Sequence, residues 1–375
     1  MLLNDYQNLT VFKVDNEIFE AIGQITQIKS VNWGKYFTKY YEFKISVFAS
    51  EQNVEILKNG NIIWGGKTNA GIIDVVQIDR DSNGQILLTI KGRTLESLLL
   101  RRAIDKTQNF KNKHVSTIIY SLVKEYFVSS SNSSRNLPWF ECAEDDELGR
   151  VLTMQRTGGD VYTEVKNICE GEENLGFEVQ FIPAERKILF VVKEATDHTA
   201  TSDSPIIFSD TSDDIITDSY YENERNYKNM AYVAGQDNKD SERVIVQQGD
   251  VNSAGFERFE LYVDARDLQQ DDGGTVLTDE EYESVLKSRG TEKLGALQKV
   301  SVFDGSLHLN KLVGFVYEQD YEIGDMVTVI DEKMGVQVNA RVSCIQENVT
   351  EKYEAKMTLG YEPPTLFERL KTMYN

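Results

Sequence analysis

Residues 75–90 run Val75-Val76-Gln77-Ile78-Asp79-Arg80-Asp81-Ser82-Asn83-Gly84-Gln85-Ile86-Leu87-Leu88-Thr89-Ile90. Two runs rich in β-branched and aliphatic residues flank a polar Asp-Ser-Asn-Gly tetrad, the composition of a turn between two strands. Toward the N-terminus, Tyr41-Glu42-Phe43-Lys44-Ile45-Ser46-Val47 alternates apolar and polar residues, as a half-buried strand does. Val11, Ile18, Ile22, Ile25 and Ile28 likewise sit among polar neighbours. Asn59-Gly60 lies between Val54-Glu55-Ile56-Leu57 and Ile62-Ile63-Trp64. That pair predicts a further hairpin, since both central residues of such a turn need positive φ. The first 95 residues thus predict an all-β unit, a small barrel or sandwich closed by its own hairpins.

Toward the C-terminus the period changes. Val115, Ile118, Ile119, Leu122, Val123, Tyr126 and Phe127 have the spacing of an amphipathic helix, and the serine-rich residues 129–134 predict a flexible loop after it. Asp160 is a good N-cap for a second helix with Val161, Val165, Ile168 and Cys169 on one face. Residues 176–181 and 187–192 predict a strand pair. Between Asp203 and Glu224 every charge is acidic, which predicts a surface connector leading to strands at 229–234, 244–247 and 256–263. Thr278-Asp279-Glu280-Glu281 is a capping box, placing Tyr282, Val285 and Leu286 on the helix it opens. Strands return at 307–309, 314–317, 325–330, 336–345 and 354–359, and Pro363-Pro364-Thr365 introduces a short terminal helix.

Composition narrows the function classes. The 375 residues, enough for about two to four domains, carry a formal net charge of −21. Such a surface repels polyanions and is not built to hold nucleic acid by neutralising phosphates. Residues 1–10 are polar, so no secretory signal peptide is expected, and the apolar run at 95–100 is far too short to span a bilayer. Cys142, Cys169 and Cys344 are odd in number and widely spread, the pattern of reduced, buried thiols in a protein folded in a cytoplasm.

No motif carries catalytic chemistry. Asn61-Ile62-Ile63-Trp64-Gly65-Gly66-Lys67-Thr68 ends like a phosphate-binding loop, but it lacks the first glycine and the helix whose N-terminus would cradle phosphate. Asp79-Arg80-Asp81-Ser82-Asn83-Gly84 matches the first half of a calcium loop, yet Ile90 stands where the bidentate Glu is needed. The segment is therefore expected to be a turn, with loosely bound surface calcium as its alternative. Glu144-Asp145-Asp146-Glu147 is expected to be a solvated acidic face. His114, His198 and His308 form no zinc pattern. No residue is assigned a catalytic, cofactor-binding or metal-ligating role.

Four segments together resemble one family. They are Gly92-Arg93-Thr94-Leu95-Glu96-Ser97-Leu98-Leu99-Leu100, Asn226-Tyr227-Lys228-Asn229-Met230-Ala231-Tyr232-Val233-Ala234-Gly235, Arg258-Phe259-Glu260-Leu261-Tyr262-Val263-Asp264-Ala265-Arg266-Asp267 and Tyr321-Glu322-Ile323-Gly324-Asp325-Met326-Val327-Thr328-Val329. In this order they resemble the tail-hub, or tail-associated (Tal), proteins of contractile and siphophage tails, most of all the short Tal hub of lactococcal siphophage baseplates. The resemblance implies a mainly β fold with α+β insertions, in which two β-barrel-like domains are related by pseudo-symmetry. The expected domains are 1–104 (first barrel), 105–204 (α+β), 205–255 with 300–362 (second barrel), 256–299 (a small inserted domain with a helix) and 363–375 (terminal helix).

The resemblance also implies a non-enzymatic virion protein at the tail tip, assembled in the host cytoplasm. There it would form a homotrimeric hub and plug gating the tail channel for genome ejection. Implied partners are the distal tail protein ring, the tape measure protein and other baseplate or receptor-binding proteins, with DNA passing unbound and no membrane span. Relatives often carry a C-terminal lytic or receptor-binding extension. Ending at Asn375 implies that this chain lacks one. Two alternatives remain: a tail-associated cell-wall hydrolase acting through paired carboxylates, and a host-carbohydrate-binding adhesin whose 17 Phe, 18 Tyr and 3 Trp include sugar-stacking platforms.

Overall fold

A computed structural model describes residues 9–66, 69–80, 84–172, 174–211, 215–236, 243–274, 276–307, 315–350 and 353–360. The protein is mainly β and divides into two compact units. One comprises Met1–Lys29, Thr38–Glu194 and Asn226–Gln298; the other comprises Ser30–Phe37, Ala195–Arg225 and Lys299–Asn375.

The first unit opens with antiparallel strands ordered Glu42–Phe48, Ile86–Thr94, Ala70–Arg80, Ile62–Trp64, Thr10–Val14, Phe19–Gln24. The long hairpin of the opening sequence stretch is present, with Ile78 opposite Leu88 and Arg80 opposite Ile86; its turn residues 81–83 lie outside the described residues. Two glycines let the sheet close on Phe43. A Cβ on Gly92 would sit 2.0 Å from the Ile72 carbonyl oxygen and 2.4 Å from the Phe43 ring, and one on Gly71 would sit 2.5 Å from that ring.

The hairpin expected around Asn59-Gly60 is different. Residues 54–57 are not a strand: Glu51–Ile56 is a helix, α1. The Ser50 side chain caps it by accepting from the Asn53 amide. Asn53 is fully buried, donating to the carbonyls of Thr26 (2.8 Å) and Phe48 (2.9 Å) while accepting from the Thr26 amide. These remote partners outweigh the local strand pattern, and Ile62–Trp64 pairs instead with Thr10–Phe12 and Ala70–Ile72.

Beyond a 3₁₀ turn at Leu95–Arg101 come α2 (Val115–Val123), continued by a π turn at Lys124–Val128, and α3 (Val161–Glu170). Asp160 caps α3 by accepting from the Thr163 amide at 2.8 Å, and Cys169 faces the core. Leu175–Ile182 and Lys187–Glu194 pair antiparallel as expected. The loop after α2 contains a short 3₁₀ turn, Ser133–Arg135. One apolar cluster runs from Phe12 and Phe19 through Leu98 and Ile118 to Phe181 and Phe190, so no break in packing falls at residue 104. Phe181 stacks on Phe19 at 5.1 Å and meets Phe12 edge-on at 5.0 Å.

The rest of this unit is a three-stranded sheet covered by α4 (Asp279–Gly295), with the capping box of Thr278 and Glu281 formed as expected. Met230–Ala234 pairs antiparallel with Ile245–Gly249 and parallel with Glu260–Asp264. The first two strands, expected in a second barrel, thus build a core with α4 around Val233, Val246, Val263, Tyr282, Val285 and Leu286. The third starts only at Glu260, after a 3₁₀ turn at Gly255–Glu257.

In the second unit the strands run Ile28–Tyr36, Val336–Val349, Tyr353–Gly360, Val300–Leu307, Ile215–Asn223. Met326–Asp331 pairs with the early part of the strand at 336–349 and takes Asp197–His198 and Ile207–Ser209 as parallel neighbours. The acidic stretch 203–224 is therefore not a plain connector. Ile206 and Phe208 are buried beside Tyr321, Val327 and Val329, which anchors that segment to the core. Residues 315–317 form no strand; Tyr317 only bridges Tyr321. His308 and the expected terminal helix at 363–375 lie outside the described residues.

Candidate functional site

The strand Val151–Arg156 pairs with Gln108–His114 and lies under α4. Its residues Thr153, Met154, Gln155 and Arg156 are buried. Arg156, 2% exposed, places its Nε 2.8 Å from Glu164 Oε2 on α3 and donates through Nη2 to Glu292 on α4. One guanidinium thus bridges two carboxylates from two helices. Burial, only partly offset by Arg156 and reinforced by Glu292, pushes the Glu164 carboxyl above its ordinary range.

Amide and hydroxyl contacts continue the joint. Gln155 Nε2 donates to the Gln269 carbonyl (3.1 Å) and its Oε1 accepts from the Gln269 amide (2.8 Å). The same Nε2 reaches Asn109 Oδ1 (2.8 Å), and Asn109 Nδ2 donates to Asp272 (2.6 Å). Ser288 Oγ on α4 donates to the Thr153 carbonyl (2.9 Å), and Lys111 pairs with Glu281 (3.0 Å). The module at 226–298 keeps its own apolar core and meets the α+β layer through this ionic and amide seam. Buried ion pairs of this kind contribute little net stability yet fix geometry, and polar seams suit bodies that part and rejoin. The arrangement holds α3, α4 and the strand Val151–Arg156 in register through charge and amide contacts.

Over residues 9–361 the sequence matches the Siphovirus ReqiPepy6 Gp37-like protein family. The chain belongs to that family. Three solved structures similar to this Gp37-like chain are tail proteins, two of them from prophages. The tail protein of Neisseria meningitidis MC58 has 12% identity and a TM-score of 0.55, covering 95% of this chain and 96% of that one. Prophage tail protein gp18 of Listeria monocytogenes EGD-e has 12% identity and a TM-score of 0.55, covering 98% and 100%. The 43 kDa tail protein of prophage MuSo2 from Shewanella oneidensis has 12% identity and a TM-score of 0.56, covering 94% and 98%. No curated protein matches the chain in sequence. At these identities the likeness establishes the fold, a phage tail fold along nearly the whole length, as the tail-hub resemblance implied.

The motifs weighed in the sequence do not converge in this Gp37-like protein. Lys67 and Thr68 lie outside the described residues, and Ala70 is already back in a strand, so no helix follows them. Asp145 accepts from the Ser116 and Thr117 hydroxyls at 2.5 Å each and from the Glu147 amide. Burial opposes its ionisation, but those bonds hold its carboxyl below the ordinary range. Asp145 therefore ties a loop to the start of α2 rather than standing free in solvent. His114 contacts the Gly149 carbonyl, and His198 contacts Ser204 and lies 3.7 Å from Asp325. Cys142, Cys169 and Cys344 are free thiols; burial pushes Cys142 up to about 12 and Cys169 up as well. Among the described residues, no group of three or more His, Cys, Asp or Glu is placed to hold a metal, and no helix is long and apolar enough to cross a membrane.

Sequence reasoning missed Arg156, Gln155, Glu164 and Glu292. The one local sign was a glutamine and an arginine ending a strand just before a capped helix.

Proposed function

We propose that this Gp37-like protein is the trimeric hub and plug at the distal tip of a siphophage tail, gating the channel through which the genome leaves. The observation that carries the reading is the tail-protein fold extending over 94–98% of the chain. The first unit's antiparallel sheet and the second unit's strand assembly stand as the paired modules by which three copies imitate sixfold symmetry. Its partners are then the distal tail protein ring above, the tape measure protein within, and other baseplate or receptor-binding proteins around it. The net charge of −21 lets DNA slide past without being held. A gate needs two packings of similar free energy selected by neighbours, and the polar latch at Arg156 is the joint that supplies them.

Mass measurement of the purified chain, alone and mixed with the distal tail protein, tests the reading. A trimer that co-migrates with the distal tail protein is expected, whereas a monomer that ignores it sinks the proposal. Zymography on host cell walls separates the hydrolase alternative: clearing abolished by one acidic substitution would favour an enzyme.

A further inference from the structure

The first unit carries a row of arginines that its own carboxylates leave half matched. Arg93 ends the strand Ile86–Thr94, Arg101 and Arg102 close the 3₁₀ turn after it, and Arg135 lies on the loop beyond α2. Arg102 Nε donates to the Arg135 carbonyl (2.9 Å) and its Nη1 to the Arg101 carbonyl (3.0 Å). Its guanidinium lies 5.5 Å from the centre of the Phe127 ring, and that of Arg135 lies 5.2 Å from the centre of Tyr126. Rings and carbonyls therefore fix these planar groups before anything binds.

The two ends of the row show which partner suits it. Arg93 takes Asp74 through Nε (2.7 Å) and Nη2 (3.0 Å). Arg135 takes Asp105, with Nη1 2.9 Å from Oδ1 and Nη2 2.9 Å from Oδ2. Both are two-pronged carboxylate grips. Lys106, next to Asp105, is spent on Glu125 at 2.6 Å. Among the described residues no carboxylate pairs with Arg101 or Arg102, so the four guanidiniums share only Asp74 and Asp105. Burial and the like charge of Arg93, partly offset by Asp74, push the Arg101 guanidinium below its ordinary range. Burial does the same to Arg102, reinforced by Arg101 and Arg135. Like charges crowded together away from full solvation carry a cost that a bound anion relieves.

We propose that Arg101 and Arg102 are a docking site for an acidic peptide segment of another protein, each guanidinium taking one carboxylate. The grips on Asp74 and Asp105 to either side are the pattern that such a segment continues. Among the described residues the Arg101 guanidinium bonds to nothing, and Arg102 engages only Nε and Nη1, so donors remain for the guest. Charge selects the occupant. A long polyphosphate is turned away by the net charge of −21, whereas a short acidic segment brings only the few charges that the row can match.

Fluorescence anisotropy of a labelled hexaglutamate peptide against the full chain tests the site. Salt-sensitive binding is expected, weakened about tenfold by Arg101→Gln and by Arg102→Gln. Arg225→Gln, on an exposed turn elsewhere, should leave it unchanged. Because the Arg101 guanidinium bonds to nothing, Arg101→Gln should leave the unfolding midpoint of the free chain unchanged or raised. Absence of binding, or binding that survives Arg101→Gln, overturns the proposal. A midpoint lowered by Arg101→Gln overturns it too, by giving that arginine a structural role. Single-stranded DNA of equal length bound more tightly than the peptide would make the row a phosphate site and likewise overturn it.

Discussion

The α+β layer of the first unit is joined on two sides by opposite chemistry. Toward the antiparallel sheet, Phe12 and Phe19 interleave with Phe181 inside one continuous apolar cluster. Toward the module at 226–298, the contact is a guanidinium between two carboxylates, a reciprocal amide pair and a hydroxyl on a carbonyl. An apolar joint loses its whole transfer free energy when opened, so it stays shut. A polar joint regains water on opening and separates at small net cost. The two sides differ in what separating them would cost, a large apolar transfer on one side and a small net polar exchange on the other.

The largest effect should come from the scaffold side. Phe181→Ala removes a fully buried ring from the aromatic trio and should cost about 4 kcal/mol of global stability. Denaturant unfolding followed by several probes should shift as one transition. Separate transitions would show that the sheet and the α+β layer do not share a core.

On the latch side, Arg156→Ala leaves Glu164 and Glu292 facing each other without their cation, and should cost about 3 kcal/mol, felt locally. Amide exchange should accelerate in Met230–Ala234 and Ile245–Gly249 while the strand Leu175–Ile182 stays protected. Arg156→Met, which removes the charge but keeps the bulk, should cost less. Uniform acceleration across both sides would erase the distinction between scaffold and latch. A smaller loss of about 1–2 kcal/mol is expected for Gln155→Ala, which strands the Gln269 amide and carbonyl, and it should appear in the same strands.

The two sides also differ in how far the sequence betrays them. Individual elements on both sides rest on short-range signals: the period-two run around Phe43, the helical spacing from Val115 to Phe127, Asp160 as an N-cap and the Thr278–Glu281 capping box each act within one or two turns of chain. Where a remote partner decides, the local pattern misleads. Residues 54–57 look like a strand, but the fully buried Asn53, bonded to Thr26 and Phe48, makes them a helix end and a turn. The latch lies wholly in this second class. Arg156 and Glu292 are 136 residues apart, and nothing near either announces the other. The tail fold was legible because several short signals occur in family order; the joint that could move was not.

The smallest effect expected is the most specific to the latch. Burial raises the Glu164 carboxyl above its ordinary range, so the closed latch binds its proton more readily than the opened one. Above the raised pKa the cost of holding that charge is present in full. As pH falls through the raised value toward the unfolded value near about 4.3, the cost disappears and the latch tightens. Asp145, on the loop tied to α2 and held low by its hydroxyl donors, pulls the other way, losing its contribution as pH falls through its depressed value. A bulk melting curve mixes the two, whereas local exchange in Ile245–Gly249 does not. In wild type its opening should slow as pH is lowered from neutral toward the unfolded carboxyl value near about 4.3, after correction for intrinsic exchange. In Glu164→Gln it should be nearly flat over that range. An equal slope in both proteins would mean that the carboxylate on α3 plays no part in closing the seam, and that Glu292 alone holds Arg156.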